Sequence, residues 1–163
     1  KLLRMSPANV YRFFPSKDAI RQGVASRLMN EVEAAARAIA AGPEPVPQRL
    51  RELLTTIHLM NSERYVGDAK LHEMVASAME EDWDVCKAHI EHITMLIGQV
   101  IGEGAASGVF HVDDVPVAAL CTGTVMLRFF HPQMIAQCVN KPGPTLDQMI
   151  DFILIGLGHR NAG

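Results

Sequence analysis

The side chains with the most chemistry to offer are seven histidines and three cysteines. Cys86, His89 and His92 step by three, and His72, Glu73 and His131 are further donors that a fold could bring near them. On a helix, six residues turn about 600°, so Cys86 and His92 point roughly 120° apart. They cannot share a tight tetrahedral site without partners from other helices. His89 and His92, at i and i+3, would supply one edge of such a site. The plainer reading has His92 solvated and His89 half-buried. A Cys–His nucleophilic pair lacks an orienting third residue. A metal-dependent or Cys/His enzyme in a helical bundle is therefore the weaker reading. The chain is expected not to be an enzyme and to hold no metal or other cofactor. Cys86, Cys121 and Cys138 are widely spaced and form no CxxC pair, which favours a reducing, cytoplasmic setting.

These residues must sit on helices, because nearly every segment has helical period. Ser6-Pro7 offers a cap and a first-turn proline before a short helix over about 8–14, which Pro15 ends. Ser16 caps a second helix with apolar residues at Ile20, Val24, Leu28, Val32, Ala35, Ala36 and Ile39, stopped at Gly42 and Pro43. Leu50, Leu53, Leu54, Ile57, Leu59 and Met60 mark a third. Asp68 caps a short one over about 68–80. Trp83, Cys86, Ile90, Ile93, Ile97 and Val100 mark a long helix that frays at Gly102, Gly104 and Gly108. Asp113 or Asp114 caps a helix over 114–130 that Pro132 kinks or breaks, with a further turn or two over 134–139. The run 140–144, rich in Pro and Gly, is a loop, and Thr145-Leu146 opens the last helix. No period-2 strand is convincing, so the fold class is all-α. The 163 residues can bury a sizeable core, and 48% hydrophobic residues with a net charge of −3 exclude disorder. No apolar run is long enough to span a membrane.

Charge divides the chain. Residues 1–30 carry net +5 and residues 31–163 net −8, which suggests a polyanion partner at the N-terminal end. Within that end lies Met5-Ser6-Pro7-Ala8-Asn9-Val10-Tyr11-Arg12-Phe13-Phe14-Pro15-Ser16-Lys17-Asp18-Ala19-Ile20. It resembles the recognition helix and following helix of the tetracycline-repressor (TetR) family of transcriptional regulators. Val10, Tyr11, Phe14, Ser16, Lys17 and Ile20 match the family pattern, with Asp18 in place of Glu. Ala8, Asn9 and Phe13 stand where Gly, Thr and His or Tyr are usual. The resemblance implies a helix-turn-helix that contacts operator DNA through Ser6, Pro7, Ala8, Asn9, Tyr11, Arg12 and Lys17. Chemically, Asn9 suits adenine, Arg12 guanine or phosphate, and Tyr11 and Lys17 phosphate. Residues 1–30 are then a partial helix-turn-helix domain with the start of a connecting helix. Residues 31–163 are a helical ligand-binding and dimerisation domain. Lys1 is expected to follow a missing first helix, which makes this a fragment of a longer polypeptide.

The resemblance further implies a ligand-responsive repressor that binds a palindromic operator as a dimer. Its cavity should lie in the acidic body, bounded by the helices over 46–62, 68–80, 82–107 and 114–130. The expected lining is Ile57, Met60, Leu71, Val75, Met79, Trp83, His89, Ile93, Thr124, Leu127 and His131. His89 and His131 are the expected polar handles, and the effector a small, neutral or weakly acidic hydrophobic molecule. Arg128 would meet an anionic ligand group or pair with an acid. The last helix is apolar on more than one face, so a second copy should cover it. Leu120, Leu146, Ile150, Ile153, Leu154 and Leu157 are the expected interface residues.

Overall fold

The computed structural model of the protein describes residues 16–67, 83–138 and 140–159, and among these the ordered elements are all helical. They are α1 (Lys17–Ala40), α2 (Val46–Gly67), α3 (Trp83–Ala106), α4 (Val115–Val125), α5 (Leu127–Phe130), α6 (Pro132–Cys138) and α7 (Leu146–Gly156). The expected helices over 8–14 and 68–80 lie outside the described residues.

Local chemistry sets most helix ends. The Ser16 hydroxyl accepts from the Ala19 N–H at 3.0 Å and opens α1. Asp114, rather than Asp113, caps α4 by accepting from the Val117 N–H. Thr145 and Gln148 form a reciprocal capping box on α7. At the end of α3, Gly108 has φ of 73°, and the N–H groups of Val109 and Gly108 donate to the carbonyls of Gly104 and Ala105. This left-handed close satisfies the last carbonyls of a helix that runs through Gly102 and Gly104 without fraying. Gly158, with φ of 82°, closes α7 in the same way.

The helix expected over 114–130 is broken earlier than Pro132. The hydroxyls of Thr122 and Thr124 bond back to the carbonyls of Ala118 and Leu120, which competes with the helical ladder. At Met126, fully buried with ψ of −2°, the helix ends and the short α5 begins. His131 is then extended (φ −78°, ψ 125°), as a residue before proline prefers to be. Pro132 opens α6, where its missing N–H costs nothing.

The core joins α1, α2, α3 and α7. It holds Val32, Ala36 and Ala40, then Leu50, Leu53, Leu54 and Ile57, then Ile93, Leu96, Ile97, Val100 and Ile101, and finally Ile150, Ile153, Leu154 and Leu157. In α1 the deepest positions include Ala25 and Met29, one residue on from the expected Val24 and Leu28. Leu59 and Ile90, both expected in apolar stripes, are about half exposed. Arg49 threads this core. It is buried, and its guanidinium donates to the carbonyls of Ala40 (2.5 Å) and Glu44 (2.9 Å) and to the Glu103 carboxylate (2.5 Å). Arg51 pairs with Asp151 and Asp147 and ties α2 to α7 at the surface.

Four residues expected at a subunit seam are therefore placed otherwise. Ile150, Ile153, Leu154 and Leu157 lie on one stripe of α7, and that stripe faces the chain's own core. Leu146 is partly buried against the same core. The large apolar side chains that α7 leaves bare are Phe152 (65% exposed) and Ile155 (71%), while α4 leaves Val117 and Leu120.

Candidate functional site

A cavity of about 140 Å³ lies where α1, α3 and the α4–α6 turn converge on α2. Leu28, Met29 and Val32 come from α1, Ile57 and Asn61 from α2, and His89, Ile90, Ile93 and Thr94 from α3. Gly123, Leu127, Phe130, His131 and Pro132 complete the described wall. Most of this surface is apolar, with a few polar atoms set into it.

Five of the expected lining residues meet here: Ile57, His89, Ile93, Leu127 and His131. Met60 instead packs on the core, and Thr124 is exposed with its hydroxyl bonded to Leu120. Leu71, Val75 and Met79 lie outside the described residues, as does the side chain of Trp83. The DNA-contact candidates Ser6, Pro7, Ala8, Asn9, Tyr11 and Arg12 also lie outside them, as does the Lys17 side chain. The α1 wall was missed because Leu28 and Val32 read as ordinary core spacing and Met29 lies outside the expected stripe. Thr94 and Gly123 carry no signal of their own in a sequence. Arg128 is no ligand anchor: it donates to the carbonyls of Lys141 and Cys138 and holds the loop before α7.

The polar atoms near the cavity are mostly committed. Glu33 of α1 is buried, and each of its oxygens is met by an imidazole of α3, His89 Nδ1 at 2.8 Å and His92 Nδ1 at 3.0 Å. The i, i+3 histidine pair is thus used to clasp a carboxylate between two helices. Among the described residues, no three His, Cys, Asp or Glu side chains have metal-holding geometry. On the opposite side, His58 Nδ1 and Asn61 Nδ2 bond the carbonyls of Phe129 and Phe130 at 2.9 Å. Asn61 is the donor in its bond, and His58 stands edge-on to Phe129 at 5.5 Å. These contacts pin the end of α5 and so fix His131.

His131 is the exception. Its Nδ1 is buried and has no hydrogen-bond partner among the described residues. Burial also pushes its pKa below the ordinary histidine value, so the ring is held neutral. The consequence for stability has a definite sign. As pH falls through the ordinary histidine range, the unfolded chain takes up a proton that the folded ring refuses, and stability declines. Between about pH 7 and pH 5 the wild type should lose more stability than His131→Leu, as read by urea denaturation at each pH. Parallel declines in the two proteins would contradict the neutral assignment.

A sequence profile of the tetracyclin repressor-like C-terminal domain matches residues 46–146. The chain belongs to the TetR family of transcriptional regulators. Two solved structures share its fold. One is a bacterial regulatory protein of the TetR family from Rhodococcus RHA1, 20% identical, with a TM-score of 0.66 over 98% of this chain and 83% of that one. The other is the TetR family transcriptional regulator PfmR from Thermus thermophilus, 17% identical, with a TM-score of 0.65 over 96% of this chain and 84% of that one. Among curated proteins, none matches this sequence significantly. In TetR terms, α2 to α6 fall within the matched domain, and α1 is the helix that joins the 5–20 motif to it. No described helix is long and apolar enough to cross a membrane.

Proposed function

We propose that this TetR-family chain is the body and part of the reading head of a ligand-responsive, non-enzymatic repressor that acts in the cytoplasm. A dimer binds a palindromic operator, and an effector in the α1–α3 cavity changes the spacing of the two heads. The observation that carries the reading is the part α1 plays. One helix, Lys17–Ala40, begins within the 5–20 motif and supplies Leu28, Met29 and Val32 to the cavity wall. A ligand that repacks those three side chains acts on the same rigid rod that carries the head. Residues 1–30 then belong to the head and its connection, and residues 31–163 to the ligand-binding and dimerisation unit. The surfaces that support pairing are the bare apolar side chains of α4 and α7, Val117, Leu120, Phe152 and Ile155.

The test is operator selection from random duplexes with the protein, followed by titration at several salt concentrations. Lys17→Ala should weaken binding across sequences and make the salt slope shallower by about one unit. Phe152→Glu with Ile155→Glu should give a folded monomer by sedimentation and lose tight operator binding. A double variant that remains dimeric would remove α7 from the interface. An unchanged salt slope in Lys17→Ala would remove Lys17 from the phosphate contacts. Ile153→Glu, by contrast, places a charge in the protomer's own core and is expected to unfold it.

A further inference from the structure

We infer that the α1–α3 cavity takes a neutral, single-ring aromatic alcohol of the phenol class, whose O–H is donated to His131 Nδ1. The inference rests on the reading of this cavity as the effector site and says what kind of molecule fills it.

Size comes first. The cavity measures about 140 Å³. An apolar protein cavity of about 150 Å³ accepts benzene, so one six-membered ring with a small substituent is the matching occupant. Sugars and nucleotides fit poorly against so apolar a wall. Ile93, Leu127 and Phe130 offer aliphatic and aromatic surface to such a ring.

Polarity comes second. A buried polar atom without a partner is costly, and it is where a ligand gains most by supplying one. Among the described residues, His131 Nδ1 is such an atom; it belongs to a residue of the cavity wall but is itself shielded, so the ring has to turn for a ligand to reach it. The other histidine of the wall, His89, has its Nδ1 engaged by Glu33. Asn61 spends one of its two amide N–H groups on the Phe130 carbonyl. Donation to Nδ1 requires the neutral tautomer with its proton on Nε2, in which Nδ1 presents a lone pair. A ligand hydroxyl satisfies it with one bond.

Charge decides the remaining choice, between a phenol and a carboxylic acid. The described wall contains no Lys or Arg. Glu33 lies directly behind His89, at 2.8 Å from its ring nitrogen. An aromatic carboxylate would therefore find no cation among the described residues of the wall and would lie near a carboxylate of the protein. The unionised hydroxyl carries no such cost.

The experiment compares phenol, toluene and benzoate by calorimetric titration against the wild-type chain and His131→Leu. Toluene keeps the shape of phenol without the hydroxyl. Phenol should gain affinity relative to toluene from His131, and the ratio of the two dissociation constants should shift about tenfold against phenol in His131→Leu. Benzoate should not bind at concentrations where phenol saturates. In wild-type protein with ¹⁵N-labelled histidine, phenol should move the His131 Nδ1 resonance and toluene should not, a readout that needs no variant. An unchanged ratio in His131→Leu, benzoate binding as tight as phenol, or no ring binding at all would overturn the inference. Phenol bound at His131 with unaltered operator affinity would leave the ring site standing and defeat the effector reading. Operator release by another molecule, with no ring bound, would do the reverse.

Discussion

Gly104→Ala should cost the protein about 2–3 kcal/mol, the range for forcing a methyl group into a packed core. Gly104 lies inside α3, where alanine would ordinarily be the better helix former. Here a Cβ would overlap Phe110 Cδ2 and stand only 2.8 Å from its Cε2. Phe110 cannot yield. It is buried, its N–H is bonded to the Gly104 carbonyl, and its ring stands edge-on to His159. The turn after α3 therefore folds back over a helix position that only a bare Cα can occupy. Thermal unfolding should show a melting temperature lower by roughly 5–10 °C for a chain of this size. Gly102→Ala, where the nearest atom to a Cβ is Val115 Cγ1 at 3.7 Å, should be neutral or slightly stabilising. Equal behaviour of the two variants would show that the Phe110 contact is not what demands glycine.

Arg49→Leu should be at least as damaging, at about 2–4 kcal/mol, from the backbone carbonyls of Ala40 and Glu44 that it leaves without their donor. The side chain is buried and satisfies three acceptors from three places in the chain. The Ala40 carbonyl at the end of α1 would lose its guanidinium partner, and a buried orphan carbonyl is expensive. Glu103→Gln should cost much less, because that carboxylate is 43% exposed and water can replace the bond. The Arg49 and Gln99 bonds hold the Glu103 pKa below its ordinary value, so the contribution of this group is present above the ordinary carboxylate range and disappears as pH falls through it. Chemical denaturation of the two variants checks the ranking. An Arg49→Leu protein as stable as Glu103→Gln would mean that the backbone acceptors do not depend on the guanidinium.

Arg49 illustrates where sequence reading stops. In the chain it is one of two arginines flanking Leu50, with nothing to distinguish it from Arg51. The structure buries Arg49 against the ends of α1 and α3 and leaves Arg51 at the surface with Asp147 and Asp151. The phase of α2 decides this, and it is set by what the helix packs against. The same reasoning covers α7. Its apolar residues cover two faces, and composition alone does not say which face is the core. Packing assigns Ile150, Ile153, Leu154 and Leu157 inward and leaves Phe152 and Ile155 outside.

The helical class, most helix ends and the family were determined by the sequence itself, because each depends on neighbours only a few residues apart. Ser16, Thr145 with Gln148, Gly108 and Gly158 act through hydrogen bonds that reach at most five residues. The 5–20 motif is legible for the same reason. The cavity was half legible: Ile57, His89, Ile93, Leu127 and His131 share apolar or polar character that marks them, but the α1 wall does not stand out from core. Only the tertiary structure decided that Glu33 takes both His89 and His92, residues 56 and 59 positions away, so that a suggestive histidine pair becomes a clasp between helices. Only it decided that His131 Nδ1 is left without a partner among the described residues. Whether a buried group is satisfied depends on which helices meet around it, and no local spacing encodes that meeting.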